Sequence, residues 1–233
     1  PATGPLLRLR PPRESASVRI DTGVREGDSV TPYYDPMIAK LIVHGDTREA
    51  ALQTLAAALD DYQIAGLTTN IAFLRQIAAH PAFAAKELDT GFIDRFRDDL
   101  VPPAAAPTDE NLAFAALFRL SEREVRLNSL TAASTDPYSP WNDLKAWRPN
   151  DTGHDDFRFE IDGEDVTVIA RHGKDGLSLD LPGGRRRARA TPTADGGLSV
   201  RLDGHLFTGA VQRQGAKLIV MTPGGDYGTR CRF

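Results

Sequence analysis

The chain has 233 residues, of which 41% are hydrophobic and 26% charged, and 28 basic against 32 acidic side chains give a net charge of −4. This length suffices for one large or two modest domains with a buried core. The charge balance excludes a positive field over the whole surface, so nucleic acid and anionic membranes are not expected partners. Cys231 is the only cysteine, which excludes an internal disulfide and fits a reducing, intracellular location.

The first hundred residues combine strand and helix patterns. Residues 18–21 read as a short strand, and the nearly continuous apolar run 37–43 is typical of a buried strand. The segment 46–49 then supplies Asp46 as an N-cap with an acid three residues on. Apolar residues at helical spacing predict helices over 52–62, 71–78 and 92–96.

Three prolines within residues 101–107 break this pattern, because proline neither continues a helix nor donates to a strand ladder. We therefore predict a first domain over 1–100, a linker over 101–107 and a second domain over 108–233. The second domain opens with a helix that is capped by Thr108-Asp109-Glu110 and carries the apolar residues Leu112, Ala115, Ala116, Phe118 and Leu120.

Residues 131–149 are rich in proline, serine and tryptophan, which predicts a long ordered loop. Beyond this loop, short stretches alternate at period two between turn pairs such as Asp203-Gly204. Evenly spaced strands of this kind predict a small antiparallel barrel or sandwich. The fold class predicted for the chain is α+β.

No catalytic constellation follows from pattern alone. The five histidines form no helical pair, so each is interpreted as a turn or surface residue, and the sequence lacks the glycine-rich loops that cradle phosphates. The most informative stretch is 31–41, where prolines flank Tyr34 and Asp35. This stretch supports either a positioned acid or a rigid structural turn, and its chemistry favours the turn.

Two further features allow a functional and a structural interpretation. The arginines between Arg185 and Arg189 can bind phosphates through guanidinium forks, but a solvated hairpin strand is the simpler reading. Trp141 and Trp147 are either plugs for the long loop or anchors for a partner, since tryptophan is enriched at the centre of interfaces.

Residues 1–97 resemble the C-terminal part of the biotin carboxylase domain of biotin-dependent acyl-CoA carboxylases. The motifs that carry this resemblance are Pro1-Ala2-Thr3-Gly4, Ser17-Val18-Arg19, Asp21-Thr22-Gly23-Val24, Pro32 to Ile42, Gly66 to Asn70 and Leu88 to Ile93. The resemblance implies an ATP-grasp parent enzyme that carboxylates biotin with ATP, bicarbonate and magnesium or manganese.

The resemblance places the nucleotide-binding elements, the metal-binding carboxylates and the main catalytic arginine upstream of the matched segment. It therefore implies no catalytic residue, bound cofactor or metal in this chain. Tyr34 and Asp35 match a turn that borders the active-site cleft, and Arg19 matches an arginine at a subunit contact. Ala16 departs from the family because an aromatic residue often stands three positions before that arginine.

Residues 108–233 look like the BT domain of methylcrotonyl-CoA and propionyl-CoA carboxylases, a helix within an antiparallel barrel that contacts the carboxyltransferase β subunit. Residues 136–141 and 147–150 resemble the loop of the methylcrotonyl-CoA and geranyl-CoA branch. The resemblance therefore makes Trp141, Trp147 and Arg148 candidate contacts to that subunit.

The expectation is thus a non-catalytic piece of a methylcrotonyl-CoA carboxylase α subunit, an enzyme of leucine catabolism. Its expected setting is a hetero-oligomer in the bacterial cytoplasm or the mitochondrial matrix. A biotin carrier domain is expected elsewhere in the parent chain, because Met37 and Met221 are followed by Ile38 and Thr222 rather than a biotinyl lysine. The alternatives are geranyl-CoA, propionyl-CoA or acetyl-CoA carboxylase, or a polyanion-binding module that uses the strand Arg185 to Arg189.

Overall fold

The structure is a computed structural model, and it describes residues 2–33, 37–101, 106–132, 153–161, 163–194, 196–222 and the backbone of 225–232. The chain divides into two compact units, one over residues 1–105 and one over 106–222 and 226–233. None of the described helices is both long and apolar enough to cross a bilayer.

The described part of unit 1 contains three two-stranded antiparallel ladders and five helices. The strand pairs are β1 (Gly4–Pro5) with β4 (Ser29–Val30), β2 (Arg8–Arg10) with β6 (Gln63–Ala65), and β3 (Val18–Thr22) with β5 (Ala39–Val43). The helices are α1 (Arg48–Asp61), α2 (Ile71–Ala79), α3 (Pro81–Ala84), α4 (Phe92–Arg95) and α5 (Arg97–Leu100).

Two details of unit 1 differ from the sequence prediction. Thr47, not Asp46, is the N-cap of α1, and its side chain accepts a hydrogen bond from the Ala50 amide at 3.1 Å. The strand β5 is half-buried rather than buried, and Met37 ahead of it is 62% exposed. The reason is that β5 pairs with β3 alone, so one of its edges has no strand beside it in the described chain.

His80 also departs from the prediction of a turn or surface residue. Its ring packs 4.3 Å from the ring of Phe96 and 5.6 Å from that of Phe92, measured between centroids. Its Nδ1 accepts the Ala82 amide hydrogen at 3.2 Å, which caps α3. His80 therefore has a structural role, in a cluster with the buried side chains of Ala82, Phe92 and Leu100.

The described residues of unit 2 form one long helix and a closed barrel of eight antiparallel strands. Neighbours in sequence pair with each other, and the last strand pairs with the first to close the barrel. The helix is α6 (Asp109–Ala132). The strands are β7 (Gly153–Ile161), β8 (Glu164–Gly173), β9 (Gly176–Leu181), β10 (Gly184–Pro192), β11 (Leu198–Leu202), β12 (His205–Gln214), β13 (Lys217–Thr222) and β14 (Gly225–Arg232). The α+β class and the helix-plus-barrel domain are thereby confirmed.

The first half of α6 is buried on every side. Side chains from Leu112 to Leu117 are at most 2% exposed, so burial extends beyond the positions that the helical spacing selected, to Ala113, Phe114 and Leu117. A helix that is apolar all round is buried all round, and here the barrel encloses it. The largest side chains of the shared core are Phe114 and Phe159, both fully buried.

Two strands change partners half-way along their length. Residues 184–187 of β10 pair with β9, while residues 188–192 pair with β11. In the same way β12 pairs with β11 through 205–209 and with β13 through 210–214. Strands that switch partners at a bend make the corners of a small barrel.

Gly209 occupies the corner of β12, where the barrel wall closely approaches the ring of Phe114 on α6. A Cβ atom at this position would lie 2.5 Å from the carbonyl oxygen of Met221 and 3.2 Å from the ring of Phe114. Both neighbours are buried, so neither has open space into which it can retreat. The absence of a side chain at this position therefore allows β12 and β13 to pack closely against α6.

We expect Gly209→Ala to lower the free energy of unfolding by about 1–3 kcal/mol, the usual cost of overpacking a core. Gly173→Ala is the matched control, because its Cβ would meet its nearest neighbour at an ordinary 3.5 Å. Urea denaturation of the three proteins measures the difference. Equal stability of the two variants would contradict the proposed close approach.

Candidate docking surface

The second half of α6 leaves the barrel and carries exposed apolar side chains. Val125, Leu127 and Leu130 are 64%, 44% and 59% exposed, whereas Leu117 is only 2% exposed. Large apolar side chains grouped on an exposed element often mark a contact surface. We call residues 121–132 the emergent half of α6, and we consider it the candidate docking surface of unit 2.

A three-residue cluster fixes the direction in which the emergent half leaves the barrel. The guanidinium of Arg123 donates two hydrogen bonds to the Asp155 carboxylate, at 2.5 and 2.8 Å. The second oxygen of this carboxylate also lies 2.9 Å from Nε2 of His172. Because these residues stand on α6, β7 and β8, the cluster, named the Asp155 latch, ties the helix to two strands.

The electrostatics of the latch favour the charged carboxylate. Burial of Asp155 by itself raises its pKa, but the hydrogen bonds from Arg123 and His172 outweigh burial and hold the pKa below its usual value. The side chain of Asp155 is only 14% exposed, so solvent screens these contacts weakly. The latch is therefore a partly buried, charge-assisted network.

A second ion-pair group joins α6 to β12. The carboxylate of Glu122 accepts from Arg119 at 3.0 Å and from Arg213 at 3.2 Å. With the latch, it holds one side of the emergent half against the barrel rim. Among the described residues no group of three or more histidine, cysteine or acidic side chains is arranged to hold a metal ion. The contacts of Arg123 and Glu122 thus position the surface of the emergent half.

The structure also shows what the arginines after Gly184 do. Arg185 is bonded to Asp180 at 2.5 Å, and this carboxylate also accepts from Arg171 at 2.7 Å. Hydrogen bonding from Arg185, more than from Arg171, lowers the pKa of Asp180 despite its partial desolvation. Arg186 pairs with Asp109 of α6 at 3.2 Å. The arginine run is therefore partly neutralised, which weakens the polyanion-binding alternative.

Of the site residues predicted from sequence, Arg19 is the one within the described chain. It is exposed on β3 of unit 1, where its guanidinium donates to Asp21 at 2.8 Å, and this contact raises the pKa of Arg19. The others, Tyr34, Asp35, Trp141, Trp147 and Arg148, lie outside the described residues.

Sequence reasoning missed the Asp155 latch, although the pattern held a signal. In β7 the inward alternation of Phe157, Phe159 and Ile161 extends back to Asp155, so an acid occupies the apolar face. The inward alternation of β8 likewise ends on His172. Two polar residues at inward positions of neighbouring strands predict a buried polar pair. His172, interpreted from sequence as a turn or surface residue, is part of that pair.

We expect Asp155→Asn to lower the free energy of unfolding at neutral pH by about 1–3 kcal/mol, because charge-assisted bonds to Arg123 and His172 are lost. The lowered pKa means that this contribution is complete above the usual carboxyl pKa of 3.8 and is lost as the pH falls below it. The stability gap between wild type and variant should therefore shrink below pH of about 4.

Asp156→Asn is the control, since Asp156 is 48% exposed and its nearest ionic contact, His154, is 3.8 Å away. Thermal unfolding followed from pH 7 to pH 3 compares the three proteins. Identical losses in the two variants would show that Asp155 has no special role.

Comparisons with known proteins identify both units. Residues 107–230 match the family described as methylcrotonyl-CoA carboxylase, alpha-subunit, BT domain. Residues 1–95 match the biotin carboxylase C-terminal domain.

Three curated relatives align with the chain. The methylcrotonoyl-CoA carboxylase subunit alpha of Dictyostelium discoideum is 40% identical over 193 residues, which cover 79% of this chain and 27% of that protein. The Oryza sativa counterpart is 52% identical over 101 residues, 43% of this chain and 14% of that protein. The propionyl-CoA carboxylase alpha chain of Caenorhabditis elegans is 35% identical over 126 residues, 54% of this chain and 17% of that protein.

The chain thus spans between 14% and 27% of the length of these relatives. The BT-domain match covers more than half of the chain, and the alignment with the Dictyostelium protein is long enough to reach into both units. The chain belongs to the methylcrotonyl-CoA carboxylase α-subunit family, as a fragment that carries the biotin carboxylase C-terminal domain and the BT domain.

Proposed function

We propose that this chain is the scaffold and docking part of the α subunit of a 3-methylcrotonyl-CoA carboxylase. The parent enzyme carboxylates biotin with ATP, bicarbonate and magnesium or manganese, and a carboxyltransferase β subunit then transfers the carboxyl group from carboxybiotin to the acyl-CoA. The emergent half of α6 is the observation that supports docking, because apolar side chains stand exposed on a helix whose direction is fixed by charged contacts.

The physical argument for docking is one of pre-organisation. Association loses less conformational entropy when the contacting element does not have to be ordered on binding. The first half of α6 is held inside the barrel and the second half is held by the latch, so Val125, Leu127 and Leu130 are presented in a fixed arrangement. Leu127 and Leu130 lie three residues apart and share one face of the helix, and an ordered helix with apolar anchors is a common recognition mode between proteins.

Further contacts proposed for the β subunit are Trp141, Trp147 and Arg148, in the stretch that follows α6 in sequence. Arg19 of unit 1 is a proposed contact to another subunit, and Tyr34 and Asp35 are proposed to border the biotin carboxylase cleft. The boundaries 1–100, 101–107 and 108–233 are proposed as its three parts. The relatives named as mitochondrial support a matrix location for a eukaryotic parent.

Two acyl-CoA substrates are candidates for the parent enzyme. Propionyl-CoA carboxylase is the second candidate, because a propionyl-CoA carboxylase alpha chain is 35% identical over 126 residues. The BT-domain match and the longer alignment at 40% identity favour methylcrotonyl-CoA.

The docking proposal predicts that the chain binds a methylcrotonyl-CoA carboxylase β subunit and that Trp141→Ala or Trp147→Ala weakens this binding. The loss of an interface tryptophan typically costs about 2 kcal/mol or more, which is roughly a thirtyfold rise in Kd. Leu206→Ala is the control, since Leu206 is 59% exposed on β12. Titration calorimetry gives the affinities. Unchanged binding in both tryptophan variants removes them as anchors, and absent binding by the wild type overturns the docking proposal.

The scaffold proposal predicts that the isolated chain does not cleave ATP in a biotin-dependent reaction. The physical reason is that its sequence contains neither of the glycine-rich loops that commonly bind phosphates, Gly-x-x-x-x-Gly-Lys and Gly-x-Gly-x-x-Gly. Phosphate release with free biotin and bicarbonate measures this activity, with an intact α subunit as the positive control. Carboxylation of biotin above the buffer rate would contradict the proposal.

A further inference from the structure

A cleft of about 1050 Å³ lies between α6 and the strands β9, β10 and β11, and His172 of the Asp155 latch is among its lining residues. Leu117 and Leu120 of α6 and Leu177 of β9 form its apolar lining, and Val125 of the emergent half stands at its edge. The volume is that of a site for a sizeable ligand or a short peptide segment.

The cleft meets the open edge of β10. The amide of Arg187 donates to the Asp203 carboxylate, and the carbonyl of Arg187 accepts from the Asp203 amide. Arg187 and every second residue after it therefore direct their peptide groups toward β11. The peptide groups of Ala190 therefore point the other way, into the cleft, where the register with β9 has already ended. Pro192, two residues further on, has no N–H to offer on that edge, as is typical of an edge strand.

Three arginines line the wall formed by β10 and β11, namely Arg187, Arg189 and Arg201. All three are exposed, and the described residues provide none of their guanidinium groups with an ion pair or a side-chain hydrogen bond. Arg189 and Arg201 are direct partners across the two strands. Like charges directly opposite each other destabilise a sheet, so an anion bound between them removes an unfavourable interaction.

The cleft is also lined by three acidic residues, Glu124, Asp175 and Asp203. Glu124 belongs to α6 and Asp175 to the turn between β8 and β9, on the facing wall. The carboxylate of Asp203 accepts the Arg187 amide hydrogen at 2.8 Å. The arginines of β10 and β11 therefore form a cationic strip, and the acid on the same side, Asp203, is engaged by a backbone amide. This strip suits an occupant with carboxylates along one face. An extended segment with alternating side chains has that form.

We propose that this arginine cleft binds an extended, acidic segment of the partner subunit. Carboxylates of the segment bind Arg187, Arg189 and Arg201, its backbone pairs with the open edge at Ala190, and its other face contacts Leu120 and Val125. This mode, strand addition at a sheet edge with side-chain selection, needs little reordering of the barrel. The inference deepens the docking function proposed above and rests on it.

The test measures binding of a methylcrotonyl-CoA carboxylase β subunit by the wild-type chain and by the double variant Arg189→Glu/Arg201→Glu. We expect at least a tenfold rise in Kd and a flatter dependence on salt, because charge complementarity is reversed. Lys217→Glu, which makes the same change of charge per site at an exposed position of β13, should leave Kd within about twofold. Arg189→Lys/Arg201→Lys should bind with intermediate affinity, since it keeps the charge but loses the planar fork.

The outcomes separate the two proposals. If the wild-type chain does not bind the β subunit at all, the docking function fails and the cleft inference fails with it. If the wild type binds and the double Glu variant binds equally well, only the cleft inference is overturned. The thermal stability of the unbound double Glu variant is compared with that of Lys217→Glu. A much larger loss in the double variant would show that acidic side chains of this chain already bind the arginines, and it would overturn the cleft inference. Binding of a single-stranded oligonucleotide that the double Glu variant abolishes, with β-subunit binding unchanged, would assign the arginines to nucleic acid instead.

Discussion

The fold of unit 2 depends on the enclosure of the first half of α6 by the barrel. The inward side chains of the strands, such as Val168, Leu179 and Leu218, are fully buried because they pack on this helix. The helix in turn combines small and large residues, Ala113 and Phe114 for example, and both are fully buried in the core shared with the barrel. Neither element has an apolar partner without the other, so the barrel and the helix fold as one core.

Enclosure of the helix also decides where function is located on this unit. A closed barrel around a helix leaves the two ends open, and the corners where β10 and β12 change partners are where the wall bends to stay closed. The emergent half of α6 leaves at one end, and its exit direction is set by ionic contacts to Asp155 and Arg213 at the rim. The same bend in β10 that tightens the wall exposes the strand edge at Ala190, so the arginine cleft is a by-product of barrel closure.

Local signals predicted most of the fold, and non-local contacts account for what they missed. The Asp203-Gly204 pair was predicted as a turn and adopts φ values of 48° and 92°, the conformation that favours these two residue types in a hairpin. The spacing of Leu112, Ala115 and Leu120 predicted the helix, but a periodic pattern alone cannot show that the barrel also encloses Phe114. The Asp155 latch was missed because Arg123 and Asp155 are 32 positions apart, so only the fold reveals the pair.

The latch is built from charges rather than apolar contacts, and this difference matters for a docking element. An apolar clamp on the emergent half would cover the side chains that a proposed partner has to reach. The ion pair of Arg123 and Asp155 holds the helix while Val125, Leu127 and Leu130 stay exposed. Partly buried, bidentate ion pairs are directional, so they fix orientation more strictly than they add stability. In this molecule burial supplies the stability of α6, ionic contacts supply its direction, and the apolar surface remains available for the partner.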